Sequence, residues 1–227
     1  MKQVLLILVV LFQISFVCFG QDNNKPAPAI TNIAGVAYPL ILPDLRVEFR
    51  IKAPDAQKVQ IDLGKMYNMT RDDQGVWTVT TDPQVPGFHY YSLVIDGVKV
   101  ADPASESFYG TGRMSSAIDI PEKGADFYDL KDVPHGALSS KYYFSKVTNS
   151  WRRLFVYTPP GYDVNTKAKY PVVYIQHGGG EDERGWSVQG KTDIILDNLI
   201  AQSKALPMIV VIANGNVSSG RGGYSNE

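Results

Sequence analysis

One stretch decides the fold of the second half of this chain: Tyr170-Pro171-Val172-Val173-Tyr174-Ile175-Gln176-His177-Gly178-Gly179-Gly180-Glu181. Its first part is a short apolar, β-branched run without polar alternation, which predicts a strand covered on both faces. Its second part opens into consecutive glycines, which let the backbone turn sharply and bring N–H groups close to a ligand. The stretch therefore predicts a buried strand whose carboxyl end carries a turn of accessible amides.

A helix and a second apolar run follow. Thr192 or Asp193 would cap the helix. The apolar residues that share one helical face are Ile194, Ile195, Leu199 and Ile200. Residues 208–212 form a second fully buried strand in this interpretation, and strand, helix and strand at this spacing predict a βαβ unit with parallel pairing. Upstream, residues 141–145 and 151–157 are predicted to pair as two further strands.

The first half of the chain has a different pattern. Residues 45–52 alternate between apolar and charged side chains, which is typical of a strand with one wet face. Asp96-Gly97 separates two apolar runs and favours a type I′ hairpin. Residues 66–70 and 76–80 flank a second hairpin signal, Asp72-Asp73-Gln74-Gly75. Short strands with regular turns predict a β-sandwich.

Composition and the first residues bear on compartment and partners. The chain carries 22 basic and 23 acidic residues without a basic stripe, so we expect no nucleic-acid partner. Residues 1–20 have the features of a secretory signal, and residues 21–30 those of a flexible leader. The single cysteine, Cys18, lies in that signal. We predict a protein exported to the periplasm or secreted, with no stable membrane insertion after cleavage; an uncleaved anchor is the alternative.

The chemistry is expected at the triple glycine. In acyl transfer, one backbone N–H after a strand meets the developing oxyanion, and a second comes from the residue after the nucleophile. Gly178, Gly179 and Gly180 have the required position, with His177 predicted to orient the loop through its ring nitrogens. A plain tight turn is the alternative.

Glu181, Asp182 and Glu183 are expected to form a solvated acidic turn at a helix start, rather than a metal site. Trp186 either lines a pocket or packs the loop. Arg152 and Arg153 are expected at the wet edge of a strand.

A nucleophile, acid and base are not found in the sequence. No Gly-x-Ser-x-Gly occurs, and no histidine follows His177. Ser218 and Ser219 have the wrong spacing for a nucleophile elbow. We therefore expect this chain alone to lack the catalytic triad.

Several motifs together resemble the bacterial esterase-D-like group, which includes the feruloyl and acetyl-xylan esterases of carbohydrate esterase family one and enterochelin esterase. Those motifs are His177 to Trp186, Trp151-Arg152-Arg153, Val156 to Tyr162 and Tyr170-Pro171-Val172. The upstream half is similar to the early-set sandwich found ahead of those esterases and in glycogen-branching enzymes. Its matching residues are Gly75-Val76-Trp77, Pro86 to Tyr91, Asp96-Gly97 and Ala101-Asp102-Pro103.

The resemblance implies an immunoglobulin-like β-sandwich over residues 31–121, carbohydrate-binding-like, then a linker over 122–136. Residues 137–227 would be the N-terminal part of an incomplete α/β-hydrolase domain with a mostly parallel sheet. It also implies an oxyanion loop at Gly178, Gly179 and Gly180, with substrate contacts at His177, Glu181 and Trp186. The full-length relative would be a serine esterase that deacylates plant polysaccharide and needs neither cofactor nor metal.

Two rival functions stay open, as does the oligomeric state. A siderophore esterase is ranked lower because its pocket should be basic, whereas the loop here is acidic. A non-catalytic carbohydrate-binding protein would use the sandwich aromatics Trp77, Tyr90 and Tyr91.

Overall fold

The computed structural model describes residues 25–165 and 167–216. The predicted signal at residues 1–20, and Ser218 and Ser219, lie outside them. The strands in chain order are β1 (Ala27–Pro28), β2 (Leu40–Ile41), β3 (Val47–Lys52), β4 (Val59–Leu63), β5 (Lys65–Asn68), β6 (Thr70–Arg71), β7 (Val76–Thr80), β8 (Gly87–Ile95), β9 (Val98–Val100), β10 (Ser107–Gly110), β11 (Arg113–Ile120), β12 (Ala137–Ser145), β13 (Ser150–Thr158), β14 (Val172–Gln176) and β15 (Ile209–Ala213). A π-helical turn (Gly185–Gln189) and the helix α1 (Thr192–Ala201) lie between β14 and β15.

The first half is a sandwich of two sheets around one apolar core. One sheet has the strand order β1-β2-β3-β7-β6, and the other has β10-β11-β8-β4-β5 with β9 paired to β8. Phe49 of the first sheet and Ile61, Leu93 and Ile118 of the second belong to the same buried cluster. In β3 the alternation of the sequence places Val47 and Phe49 in this core and leaves Arg50 exposed. A period of two thus buries one face of each sheet.

The predicted hairpin at Asp96-Gly97 is confirmed. Ile95 pairs with Val98 across a two-residue turn. Asp96 has φ 48° and Gly97 has φ 86°, so both central residues have the positive φ of a type I′ turn.

The sequence predicted one strand over residues 66–70, but the structure contains two short strands there. β5 pairs with β4 in one sheet, whereas β6 pairs with β7 in the other. The chain changes sheets at Met69, whose side chain is buried and whose N–H donates to the Val59 carbonyl (3.0 Å). A strand that crosses between layers keeps one continuous apolar pattern, so the break is invisible in the sequence.

The expected flexible leader over residues 21–30 is wrong for its last residues. Ala27 and Pro28 pair with Ile41 and Leu40, and Ala29 is buried in the sandwich core. Pro28 is tolerated there because β1 is an edge strand.

The second half contains a four-stranded mixed sheet in the order β12-β13-β15-β14. β14 and β15 are parallel and joined through α1, so the predicted βαβ unit is confirmed, as is the β12–β13 pair. The expectation of a mostly parallel sheet is wrong for the described strands, because β13 pairs antiparallel with both β12 and β15. The short connection between β12 and β13 permits only the antiparallel arrangement for that pair.

The apolar run of β14 predicted a strand covered on both faces, but most of its residues are exposed in the described part of the chain. It is the outermost described strand, and Tyr174 is 76% exposed. β15 alternates instead, with Val210 and Ile212 buried and its other residues partly exposed. This exposure is that of the last strand in the described part of the sheet.

The helix α1 is held by polar side chains. Neither Thr192 nor Asp193 caps it; Lys191 takes the N-cap position without a side-chain cap bond. Asp197 and Asn198 are its most buried residues. The Asp197 carboxylate accepts hydrogen bonds from the Tyr157 hydroxyl (2.6 Å) and the Gly136 N–H (3.0 Å). No helix in the described parts of the chain has the length and apolarity needed to cross a membrane.

The predicted linker, residues 122–136, forms neither helix nor strand but packs on α1. The Asn198 amide donates to the carbonyls of Phe127 (2.9 Å) and Asp129 (2.8 Å). The His135 ring bonds to the Asp197 carboxylate (2.9 Å). The connection is therefore fixed to the second half through its backbone.

His135 makes the stability of this attachment depend on pH. Its hydrogen bond with Asp197 raises the pKa of His135 above the usual 6.5. Because the folded pKa is the higher one, the stabilisation is complete below the unfolded pKa and is lost as the pH rises through the folded pKa. We expect His135→Gln to lower the free energy of unfolding more at about pH 5.5 than at about pH 8.5. Urea denaturation of both proteins at each pH measures this, and an equal loss at both pH values would contradict it.

Candidate active site

The glycine loop, Gly178, Gly179 and Gly180, follows the carboxyl end of β14 beside the end of β15. His177 joins the two strand ends: the Gly215 N–H donates to its Nε2 (2.9 Å), while its Nδ1 lies 2.8 Å from the Gly178 carbonyl oxygen. Because Nε2 accepts, this pattern assigns the ring proton to Nδ1. The structure therefore places His177 as a clamp on the loop, with both nitrogens engaged.

Two carbonyls of the loop, those of Gly178 and Gly180, accept hydrogen bonds, whereas its amides donate none within the described residues. The Gly178 carbonyl also accepts from the Glu181 N–H (3.3 Å), and the Gly180 carbonyl accepts from the Gly112 N–H (2.8 Å). Within the described residues, the N–H groups of the three glycines have no acceptor, and Gly178 and Gly179 are exposed. A group of fixed, unpaired amides at a strand's carboxyl end can stabilise a negative oxygen.

Gly180 is required by its surroundings. Its φ is +76°, and a Cβ there would lie 3.1 Å from the Gly112 nitrogen and from the Thr111 Cα. Gly178 has no positive φ, and its Cβ would meet only the Glu181 Oε2 at 3.6 Å. The two glycines of one loop thus differ in their tolerance of a side chain.

The sequence predicted a solvated turn for the acidic residues after the loop, but two of the three are buried. Asp182 is 7% exposed and Glu183 only 2%. Asp182 accepts a bidentate pair from Arg184, and Glu183 pairs with Arg153 of β13. Buried carboxylates need such partners, and Arg153 lies thirty positions away in the sequence. The described residues contain no group of three or more His, Cys, Asp or Glu arranged for a metal ion.

Arg152 and Arg153 were expected at the solvent-exposed edge of a strand, but both bond to other segments of the chain. Arg152 donates to the carbonyls of Asn214 and Asn216, which holds the segment after β15. A cavity of about 320 Å³ lies here, lined by Tyr142, Trp151, Arg152, Arg153, Glu183 and Asn216 among others. The Asn216 amide also donates to the Glu181 carbonyl (3.1 Å), so the cavity adjoins the glycine loop.

Trp186 lies in the π-helical turn. Its indole N–H donates to the Gln176 carbonyl (2.9 Å), at the last residue of β14. The side chain is still 44% exposed. It therefore braces the start of the loop and also offers an aromatic surface beside it.

Sequence reasoning missed the part that the sandwich plays. The Tyr90 hydroxyl donates to the Glu181 Oε1 (2.9 Å), and Gln189 donates to the Tyr90 oxygen (2.9 Å). Tyr90 and Glu181 lie far apart along the chain, and the motifs that contain them do not indicate that the two side chains meet.

The aromatic residues proposed for sugar stacking are not available for it. Trp77 and Tyr91 are buried in the sandwich core. Their polar atoms bond internally, Trp77 to the Ala53 carbonyl (2.9 Å) and Tyr91 to Asp102 (2.8 Å). Tyr90 bonds to Glu181 instead. A stacking platform of these three residues is therefore wrong.

The Arg153–Glu183 pair should contribute far more than a surface pair. Arg153→Met would leave the Glu183 carboxylate buried without its cation, and we expect a loss of about 2–4 kcal/mol in the free energy of unfolding. The matched control is Arg46→Met, because Arg46 and its partner Asp44 are 45% and 52% exposed; that loss should stay below about 1 kcal/mol. Urea denaturation of the 227-residue chain measures both. Equal losses would show that burial does not control the pair.

Alanine substitutions at Gly180 and Gly178 should differ in their effect on the free energy of unfolding. Gly180→Ala forces a side chain into the left-handed region against Thr111 and Gly112, and we expect it to destabilise the chain by about 1–2 kcal/mol. Gly178→Ala should change the free energy of unfolding by less than about 0.5 kcal/mol. The same denaturation experiment compares them, and a Gly180→Ala protein as stable as Gly178→Ala would contradict the described contact.

Comparison with known proteins points to ester hydrolases. The chain is 43% identical over 209 residues to the endo-1,4-beta-xylanase/feruloyl esterase of Xylanibacter ruminicola, which covers 86% of this chain and 29% of that protein. It is 36% identical over 124 residues to endo-1,4-beta-xylanase Y of Acetivibrio thermocellus, covering 54% of this chain and 11% of that one. The chain thus spans less than a third of the length of these curated relatives.

A solved structure shares the fold. The enterobactin esterase FES of Shigella flexneri superposes with a TM-score of 0.56 over 74% of this chain and 51% of that chain, at 16% identity. At this identity the likeness concerns the fold alone. The family model described as putative esterase matches residues 145–227, the part of this chain that carries the glycine loop.

Proposed function

We propose that this chain supplies the oxyanion-binding part of a serine carboxylic-ester hydrolase that removes feruloyl or acetyl groups from plant xylan. The observation that carries the proposal is the set of amides of Gly178, Gly179 and Gly180 at the carboxyl end of β14, which have no acceptor among the described residues. The match of residues 145–227 to the putative esterase model supports it, as does the feruloyl esterase named among the relatives.

The proposed chemistry is acyl transfer through a serine. When the nucleophile attacks the ester carbon, the carbonyl oxygen becomes negative and accepts hydrogen bonds from amides of the glycine loop. Those amides need no reorganisation during the reaction, because His177, Glu181 and Gly112 already hold the loop's carbonyls. We propose that the nucleophile, acid and base come from residues outside these 227.

The surroundings of the loop support a bulky ester substrate. Trp186 offers a half-exposed indole beside the loop, and aromatic acyl groups pack well on such surfaces. Arg152, Arg153 and Asn216 line the adjoining cavity with hydrogen-bond donors that suit a sugar or a phenol. Of the three predicted substrate contacts, Trp186 is exposed for that role, whereas His177 and Glu181 are bonded within the protein and hold the loop.

A siderophore esterase is the second candidate. It was ranked lower because the loop carries three carboxylates, but Arg184 and Arg153 neutralise Asp182 and Glu183. Arg152 also lines the adjoining cavity and would favour an anionic substrate such as a catecholate, whereas Arg153 is engaged by Glu183. The charge of the site therefore does not distinguish the two candidate functions. Activity against a panel of substrates distinguishes them instead.

We further propose that the protein is exported, from the signal features of residues 1–20, and that residues 31–121 form an immunoglobulin-like early-set module. Support for the module is the two-sheet sandwich with a single core. A carbohydrate-binding role for it needs a surface other than Trp77, Tyr90 and Tyr91. Retardation in xylan, glycogen and starch gels tests that role directly.

The function is tested in the complete gene product, with any residues encoded beyond Glu227 included. We expect hydrolysis of methyl ferulate and of acetylated xylan, and none of a cyclic catecholate tri-ester. Gly179→Pro removes one amide and should lower kcat about 10²–10³-fold, whereas Gly179→Ala keeps the amide and should lower kcat by about tenfold or less. Steady-state kinetics measures both. A wild-type protein without esterase activity would refute the proposal, and hydrolysis of the catecholate alone would favour the second candidate.

A further inference from the structure

The glycine loop is held from two sides, and one side is the sandwich. On the α/β side, His177 and Asn216 bond to the carbonyls of Gly178 and Glu181. On the sandwich side, Gly112 and Tyr90 bond to Gly180 and Glu181. Residues separated by more than sixty positions thus meet at the loop.

The Gly112 contact comes from the tip of the β10–β11 hairpin. Gly110 pairs with Arg113 across Thr111 and Gly112, whose φ values of 55° and 76° are those of a type I′ turn. The N–H of the second turn residue has no role in closing such a hairpin. It donates to the Gly180 carbonyl instead, at 2.8 Å.

This contact fixes one peptide plane. The peptide between Gly180 and Glu181 has its carbonyl bonded to Gly112 and its N–H bonded to the Gly178 carbonyl (3.3 Å). A plane held at both ends restricts the adjoining dihedral angles. The Gly180 N–H lies in the peptide directly before it, and the Gly179 N–H shares a peptide plane with the Gly178 carbonyl that accepts from Glu181. The hairpin tip therefore limits the directions that those amides can take.

The Tyr90 contact acts on the next residue. Its hydroxyl donates to Glu181 and accepts from Gln189, which also donates to the Tyr109 carbonyl (2.9 Å). Partial burial and the neighbouring Glu181 carboxylate raise the pKa of Tyr90 to about 12, so the hydroxyl keeps its proton near neutral pH. Gly110 makes room for the ring, because a Cβ there would lie 2.1 Å from the Tyr90 Cζ.

We propose that the sandwich is a working part of the esterase site, with Tyr90 and Gly112 as positioning residues that hold the oxyanion amides in place. This inference rests on the proposed function of the glycine loop. Amides that are aimed at the transition-state oxygen stabilise it more than they stabilise the bound ester. Loosening them should therefore lower kcat and leave KM nearly unchanged.

The kinetic test uses Tyr90→Phe in the complete gene product. We expect kcat on methyl ferulate to fall about tenfold and KM to change less than about twofold. The inhibition constant of an aryl boronic acid, whose serine adduct places a negative oxygen at the loop, should rise in parallel with the loss in kcat. The inhibition constant of ferulate should not change.

Tyr67→Phe is the matched control. Tyr67 also lies in the sandwich, and its hydroxyl also accepts from a glutamine, Gln84 (3.2 Å), but that pair lies within the sandwich. All four constants should equal those of the wild type. Tyr90→Phe kinetics equal to the control, or a rise in KM alone, would overturn the inference.

A second readout needs no activity. In the 227-residue chain, the amides of Gly112 and Glu181 are the hydrogen-bonded N–H groups of this contact, and their exchange with solvent follows its opening. Tyr90→Phe should accelerate exchange at both, and Tyr67→Phe at neither. Unchanged exchange would overturn the inference. Accelerated exchange together with an inactive wild-type gene product would instead refute the proposed function and leave the contact standing.

Discussion

A backbone hydrogen bond joins the sandwich to the glycine loop. The Gly112 N–H, at the tip of a sandwich hairpin, donates to the Gly180 carbonyl in the glycine loop (2.8 Å). The bond requires close approach of two backbones, which explains why a side chain at Gly180 would collide with Thr111 and Gly112. With its carbonyls occupied from both halves, the loop presents amides that have no partner among the described residues.

The two halves are stabilised in different ways. The sandwich has a large apolar core to which both sheets contribute. Among the described residues, the buried apolar cluster of the second half consists of Tyr157, Val210 and Ile212, with partly buried side chains around them. Paired charges and polar links complete it: Glu183 with Arg153, Asp182 with Arg184, and Asp197 with Tyr157. Because an unpaired buried carboxylate is costly, these pairs specify one arrangement of the loop and the helix.

Patterns that depend on neighbours in sequence were readable. The alternation of residues 47–52, the Asp96-Gly97 turn and the strand–helix–strand spacing all predicted elements that the structure contains. Patterns that depend on neighbours in space were not. The antiparallel pairing of β13 with β15, for example, was not predicted, because the sequence favoured a mostly parallel sheet. The acidic turn looked solvated because the partner of Glu183, Arg153, lies thirty positions earlier on β13.

The sequence by itself determined where a loop of accessible amides must form. Consecutive glycines directly after an apolar run permit the sharp turn, and the helical spacing that follows returns the chain to a parallel strand. Only the tertiary structure decided what holds that loop. Gly112 bonds to the loop itself. Tyr90 and Asn216 bond to Glu181, the residue after it, and Arg153 bonds to Glu183. Hydrogen bonds between distant segments depend on how the sheets and helices pack, and local sequence carries no record of that packing.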